Sequence, residues 1–409
     1  MDDSEDETCG PLTGVRVLDL TSVVMGPMAT QILADLGADV IAVEPRGGDV
    51  SRSMDTGAHP ELSGVALNLL RNKRNISIDY KSDSGREAVL RIAATCDLVV
   101  TNHRPGVARR ARLGYKDFTE ARPDIIYCRA IGFPVGSGSE DLPAYDDIIQ
   151  AASGVADASR MATGVPNLAP TLLADKVVGL SIVYAVTAAL FARERTGAGT
   201  SIDVPMVDVT RSFMLVEHAG AATTSTVSGS PGYERILTRE RRPQATLDGT
   251  VFVLPYSKQN YDDIFAWGNR RDLLDDPRFA DRRNRIAHSE FLYHEVRAIL
   301  AERTTEECLE YCRAHDIPAT AAETLGELVE RLPKETHPVV GEYRSIPAPV
   351  QFGRKSLPVR RQAPVIGQHT TEILGEVGYS GPQIADLLAC SVAYQSRGGK
   401  QAEPDAAHG

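Results

Sequence analysis

No stretch of this sequence stays apolar for the ~20 residues that a bilayer demands. The nearest, Val177 to Ala192, is shorter and rich in Ala, Gly, Ser and Thr, which predicts a core helix and no membrane partner. The start of the sequence does not read as a basic or apolar leader either. Met1-Asp2-Asp3-Ser4-Glu5-Asp6-Glu7 is acidic, the opposite of a secretory or mitochondrial signal, and reads as a solvated tail. Positive charge is in deficit: 44 Lys and Arg stand against 55 Asp and Glu, a formal net charge of -11. That balance argues against nucleic acid, which rewards a basic face. The six cysteines, at 9, 96, 128, 308, 312 and 390, are scattered, so free thiols in a reducing cytoplasm are expected.

Reactive constellations are also scarce. There is no G-x-S-x-G elbow for an acyl hydrolase and no Walker loop to cradle phosphates. The histidines form no triad or metal spacing. Cys308, Cys312 and His315 fall at i, i+4 and i+7 and could share a helix face as three metal ligands, but a tetrahedral site needs a fourth and none is near in sequence. The competing reading is a half-buried helix face with polarizable side chains. No metal is expected, and a carboxylate is what remains as the reactive group.

What the chain does have is an α/β pattern. With 409 residues, 42% hydrophobic and 24% charged, it has the composition of a globular protein of two or three domains. Gly14 to Leu20 reads as a buried strand, Pro27 to Leu36 as a helix stopped by Gly37, and Ala38 to Glu44 as a second strand. This β-α-β unit favours a parallel sheet. Glu44 stands where a ribose-binding acid would, yet the turn offers only Gly26-Pro27 where a dinucleotide fold needs G-x-G-x-x-G, so no nucleotide redox cofactor is expected. Strands at Ile76 to Asp79, Asp97 to Val100, Asp124 to Arg129 and Ser201 to Val204 continue the pattern, with helices at Asp83 to Cys96 and Tyr145 to Ser153. A Thr/Ser/Gly run from Thr223 to Gly232 and a Pro-rich return from Pro338 to Pro364 mark boundaries. The expected plan is a large domain over 11–222, a small α+β domain over 223–337 and a return segment over 338–394, with tails at 1–10 and 395–409. The predicted fold is α/β, a Rossmann-like domain with a parallel sheet plus the smaller α+β domain.

Three stretches compete for function. Thr171-Leu172-Leu173-Ala174-Asp175-Lys176 places one carboxylate at the mouth of the long apolar helix, as an N-cap or as a reactive group held at the positive helix end. Asn102 to Val107, followed by Arg109, Arg110 and Arg112, reads either as a phosphate-binding loop or as a solvated basic helix. Asn72-Lys73-Arg74-Asn75 carries the same two readings.

Eight landmarks stand in order along the chain: Gly26-Pro27, Leu36 to Ile41, Asn72-Lys73-Arg74, Asn102 to Val107, Leu113-Gly114-Tyr115, Tyr145-Asp146, Leu173-Ala174-Asp175 and Arg195-Thr196-Gly197. With them the sequence resembles, along nearly its whole length, the class III CoA-transferases, the group of formyl-CoA transferase and carnitine CoA-transferase, to which alpha-methylacyl-CoA racemase is related. The resemblance implies that Asp175 is the nucleophile and that CoA, as substrate and carrier, passes between an acyl-CoA and a free carboxylic acid through aspartyl mixed-anhydride and aspartyl-CoA thioester intermediates. It implies CoA contacts from Val23, Val24, Met25, Ile78, Asn102, His103 and Arg110, with Tyr145 near the thioester. Oxyanion stabilisation would come from amides at a helix start or from a glycine loop, here the sparse Ser228-Gly229-Ser230-Pro231-Gly232. His103 stands where an aromatic such as Phe is usual. The resemblance also implies a homodimer of interlocked rings. Two alternatives stay open: a racemase, which needs an acid/base pair where this chain has Tyr145-Asp146, and a non-catalytic CoA-binding homologue. Arg129, Arg235 and Lys258 are candidates to pair with a second carboxylate on the acceptor acid.

Overall fold

The first β-branched run closes as strand β1 (Arg16–Leu20), and four residues turn the chain into helix α1 (Met25–Asp35). The structure, a computed structural model, describes residues 10–224 and 229–396. The expected tails therefore lie almost wholly outside the described residues, as does Ser228. From α1 the chain continues through β2 (Asp39–Glu44), α2 (Gly64–Leu69), β3 (Lys73–Ile78), α3 (Asp83–Ala93), β4 (Leu98–Thr101), α4 (Pro105–Ala111), α5 (Tyr115–Ala121) and β5 (Ile126–Ile131). Then come α6 (Asp146–Ala152), α7 (Val155–Thr163), α8 (Leu173–Thr196), β6 (Thr200–Pro205) and α9 (Met206–His218).

The six strands form a parallel sheet in the order β3-β2-β1-β4-β5-β6, and the short antiparallel strand Ala393–Tyr394 closes the β3 edge. Leu18 lies opposite both Ile41 and Val99, so β1 is central, and its residues from Val17 to Leu20 are buried. The order reverses between β1 and β4. Open α/β sheets bind ligands at such a switch point, beyond the carboxyl ends of the strands. Helices Thr370–Glu376 and Gly381–Ala389 return to this sheet, where Ile373, Leu374 and Leu387 join the core of Ile76, Ile78, Val89 and Ile92.

Strand β3 starts at Lys73, not at Ile76 as the alternation of apolar residues suggested, because ion pairs bury its charged end. The Lys73 ammonium, fully buried, donates to Asp19 Oδ2 (3.0 Å), the Pro27 carbonyl (2.9 Å) and Thr30 Oγ1 (2.7 Å). Arg74 forks onto Asp39 and reaches Glu372 and Glu376. Glu44 is likewise occupied by a two-point pair with the buried Arg52 (2.7 and 2.8 Å). None of these charges is left for a phosphate or a ribose.

Helix α8 is longer than the expected 177–192 segment. Its 24 residues are long and apolar enough, by length and composition alone, to cross a membrane, and 44% of its most apolar window is buried within the protein. It lies against α1, β5 and β6.

The chain forms two compact units. The larger holds the parallel sheet and takes in the described residues to Gln150, Thr171–Thr210 and those from Leu332 onward. The smaller, Ala151–Pro170 with Arg211–Arg331, contains the antiparallel strands β7 (Gln244–Ala245), β8 (Thr250–Val253) and β9 (Ala319–Ala321). Around them lie α10 (Lys258–Trp267), α11 (Arg282–Ala287), α12 (Ser289–Leu300) and α13 (Thr305–Ala314). Ser257 and Thr304 open α10 and α13 with capping boxes. Cys308 and Cys312 pack into this unit's apolar core with Val251, Phe265 and Val296, while the His315 ring stacks on Tyr311 with centroids 3.9 Å apart. The three side chains thus have separate structural roles.

Candidate functional site

At the switch point the sheet opens into a cleft of about 230 Å³. Ser22, Val23 and Met25 line it from the β1–α1 turn, Asn102 and Arg104 from the β4–α4 turn, and Ala130, Ile131 and Gly132 from the end of β5. Tyr145, Asp175 and Met206 complete the wall. Four of the residues singled out in the sequence, Val23, Met25, Asn102 and Tyr145, therefore meet Asp175 in one place.

Asp175 is the third residue of α8, not the residue before it, and the helix N-cap is Leu172, which makes no side-chain cap. The cap comes from elsewhere: Asp146 Oδ1 accepts the backbone N–H of Asp175 at 3.0 Å. Gln150 Nε2 holds the other Asp146 oxygen (2.5 Å) and also donates to the Thr171 carbonyl (3.1 Å). With that amide satisfied by Asp146, the Asp175 carboxylate is released from helix capping. It is buried, at 7% exposure, and among the described residues no group donates a hydrogen bond to it. Burial, reinforced by the nearby charges of Asp146 and Asp147, pushes its pKa up to about 6. A carboxylate that is poorly solvated, unpaired and still ionised at neutral pH is a competent nucleophile.

The β1–α1 turn is built with strain and braced by two acceptors. Val23 holds φ at 71°, a left-handed conformation that costs a β-branched residue about 1–3 kcal/mol. The Asp49 carboxylate accepts the Val23 N–H (3.1 and 3.2 Å), and the Asn102 side chain pairs both ways with Ser22, accepting its N–H (3.2 Å) and donating to its carbonyl (2.9 Å). Gly26 is required because a Cβ there would lie 2.3 Å from that of Thr21. Gly132 is required on the opposite wall, where a Cβ would meet that of Ala144 at 2.2 Å. These glycines let the backbone fold close at the cleft rim.

Of the remaining candidates, Arg110 lines a second cleft of the same unit. It measures about 490 Å³ and is lined by Tyr80, Lys81, Arg86, Val107, Arg110, Ala111 and Arg112. Arg112 pairs with Asp83, and Arg86 donates to the Arg112 carbonyl (3.0 Å). Lys81 and Arg110 make no ion pair among the described residues. His103 does not line the Asp175 cleft. Its Nε2 lies 3.1 Å from the Tyr80 hydroxyl, its ring tilts against Tyr80, and burial lowers its pKa, which keeps it neutral. One turn, Asn102-His103, thus touches the Asp175 cleft through Asn102 and the basic cleft through Tyr80. Val24 is buried at the start of α1, and Ile78 is buried in the core at the end of β3.

Asp49, Lys81, Arg86 and Met206 were not singled out in the sequence. Asp146 was, as a possible acid/base group, but not as the cap of α8. No local pattern announces an acid that caps a helix 29 residues further on. Arg129 and Lys258 are neutralised by Asp203 (2.7 Å) and Asp262 (2.6 Å), whereas Arg235 has no acidic partner among the described residues. Gly229 to Gly232 border a third cleft, in the smaller unit.

The family model described as CoA-transferase family III matches residues 12–370. The probable fatty acyl-CoA transferase Rv3272 of Mycobacterium tuberculosis is 30% identical over 78% of this chain and 84% of its own length. The mouse succinyl-CoA:glutarate CoA-transferase is 30% identical over 96% of this chain and 92% of its own. Among solved structures, a CAIB/BAIF family protein from Brucella suis superposes with a TM-score of 0.76 at 25% identity, covering 90% of this chain and 100% of that one.

Proposed function

The chain belongs to CoA-transferase family III, and on that premise we propose that it moves CoA from an acyl-CoA thioester to a free carboxylic acid with Asp175 as the covalent nucleophile. The observation that carries this reading is the Asp175 carboxylate itself, buried in the switch-point cleft, freed from capping by Asp146 and, among the described residues, bound by no cation.

A carboxylate oxygen of Asp175 attacks the thioester carbonyl, and the C–S bond breaks to give an acyl-aspartyl anhydride and CoA thiolate. The thiolate then attacks the aspartyl carbonyl of the anhydride. The donor acid leaves as a carboxylate and an aspartyl-CoA thioester remains. The acceptor carboxylate attacks that thioester, expels the thiolate and forms a second anhydride. Attack of the thiolate on the acceptor carbonyl completes the new acyl-CoA and returns Asp175. Each step trades one activated acyl bond for another, so no external energy source is needed.

The first-turn amides of α1, which opens on the cleft, are suited to the oxyanions. Tyr145 borders the position of the reacting carbonyl. Val23, Met25 and Asn102 hold the pantetheine end of CoA, and Arg110, with Lys81, takes its phosphates in the basic cleft. The Asn102-His103 turn, which touches both clefts, supports that path. Proton exchange at an α-carbon is disfavoured, because Asp146 is committed to the α8 backbone and Gln150. The enzyme acts as a homodimer: Leu180, Tyr184 and Phe191 stand exposed on α8, an apolar face that a second copy would cover.

The test is to incubate the protein with an acyl-CoA and an isotope-labelled free acid. The expected product is labelled acyl-CoA. Deuterium uptake at the α-carbon with no acyl exchange would refute the transfer reading.

A further inference from the structure

The smaller unit contains a basic pocket that the transfer chemistry does not use. It is lined by Tyr233, Arg235, Tyr256, Tyr261, Arg282, Arg285, Ser289 and Tyr293, and its free space is about 30 Å³. A single water needs roughly 10–15 Å³ on this measure, so the pocket has room for two or three heavy atoms. Three guanidinium groups converge on it, and none pairs with an acid among the described residues.

Other contacts hold them in place. Arg235 lies over the Tyr256 ring at 5.2 Å and Arg282 over the same ring at 5.7 Å, both within cation–π range. Arg282 also donates to the Tyr256 hydroxyl (3.1 Å), and Arg285 to the Phe279 carbonyl (3.0 Å). Ring faces, a hydroxyl and a carbonyl orient the cations without neutralising them. The positive charge of the pocket is therefore uncompensated in a protein that is acidic as a whole.

A second observation is independent of the arginines. Tyr293 is 1% exposed, and among the described residues its hydroxyl completes no hydrogen bond of normal geometry, although Arg235 is close enough to interact with it. A buried hydroxyl left unsatisfied costs about 1–3 kcal/mol. That cost is recovered if an acceptor atom enters the pocket.

We propose that this pocket is a binding site for one small carboxylate group, clasped by Arg235 and Arg285 and accepting a hydrogen bond from Tyr293. The size of the pocket admits the three planar atoms of a carboxylate group, with the rest of the acid outside it, and is tight for a tetrahedral phosphate. Guanidinium forks match the two oxygens of a carboxylate. The site lies within the smaller unit and does not depend on the transfer reading.

Isothermal titration of the full-length protein tests this, with acetate, succinate and inorganic phosphate as probes in chloride-poor buffer. Acetate and succinate should bind the wild type and Asp175→Ala alike, phosphate at least tenfold more weakly. Binding of both acids should weaken at least tenfold in Arg285→Gln and in Arg235→Gln. Tyr293→Phe should weaken acetate binding several-fold while leaving the ligand-free melting temperature unchanged or raised, an outcome that a merely structural tyrosine would not give. Unchanged acetate binding in both arginine variants, loss of binding in Asp175→Ala, or phosphate binding as tight as acetate would overturn the proposal.

Discussion

Asp146 accepts the backbone N–H of Asp175 at 3.0 Å, so the acid that anchors helix α8 also places a second negative charge beside the proposed nucleophile. The contact has two effects of opposite kind. It stabilises the helix start by satisfying an amide that would otherwise need a partner. It also keeps the Asp175 carboxylate clear of its own backbone and raises its basicity.

Substitution Asp175→Asn should abolish acyl exchange and stabilise the fold. The folded-state pKa of Asp175, about 6, lies above the unfolded value near 3.9, so the folded protein pays for keeping the group ionised at neutral pH. That penalty is absent below the unfolded pKa and grows as pH rises through about 6. Chemical denaturation at pH 7.5 should show a gain of up to about 3 kcal/mol for the variant, and the gain should shrink toward zero as the pH approaches 4.

The pH–rate profile reports the same group. The kcat/KM for acyl-CoA should fall tenfold per pH unit below about 6, as protonation removes the nucleophile. Asp147, exposed and without a capping role, adds to the negative field, so Asp147→Asn should move this acidic limb to lower pH while leaving the plateau rate similar. An unmoved limb would show that Asp147 does not act on Asp175.

The basic cleft should act on the phosphates of CoA and on nothing else. Arg110→Gln is expected to raise KM for acyl-CoA roughly tenfold at low salt, less at high salt, with kcat nearly constant. A pantetheine thioester, which lacks the nucleotide, should be turned over equally by both proteins. An equal loss with the truncated substrate would remove Arg110 from phosphate binding.

Asn102 braces the strained Val23 turn through both atoms of its amide. Asn102→Ala should therefore raise KM for full-length and truncated thioesters alike, by about tenfold, which corresponds to ~1.4 kcal/mol for the loss of the two-way pairing. This pattern differs from that of Arg110→Gln, and steady-state kinetics with the two substrates distinguishes them.

The Lys73–Asp19 pair is structural. Lys73→Met leaves Asp19 buried without its cation and should cost about 3–5 kcal/mol in equilibrium unfolding. The folded fraction should keep an unaltered KM for acyl-CoA.

The parallel sheet was legible in the sequence because its strands are short apolar runs separated by helices with periodic apolar faces. β1, α1 and β2 lie within two residues of where the sequence puts them. Where the reading failed, long-range pairing was the cause. Lys73 and Arg74 look like loop residues until Asp19, Asp39, Glu372 and Glu376 are brought to them. Asp175 looked like an N-cap because the true cap, Asp146, lies 29 residues earlier. Of the candidate site, the ordered landmarks pointed to Asp175 and to Val23, Met25, Asn102 and Tyr145, which line one cleft with it. The brace from Asp49 and the cations Lys81 and Arg86 had no sequence signature, since each depends on how separate strands end at one edge of the sheet.

The central claim is that Asp175 becomes covalently acylated. Incubating the protein with acyl-CoA alone, adding hydroxylamine and mapping peptides by mass spectrometry tests it most directly. The expected result is a hydroxamate on the Asp175 carboxyl, formed only when acyl-CoA is present. An unmodified Asp175 in protein that exchanges acyl groups, or an Asp175→Ala variant that still exchanges them, would contradict it.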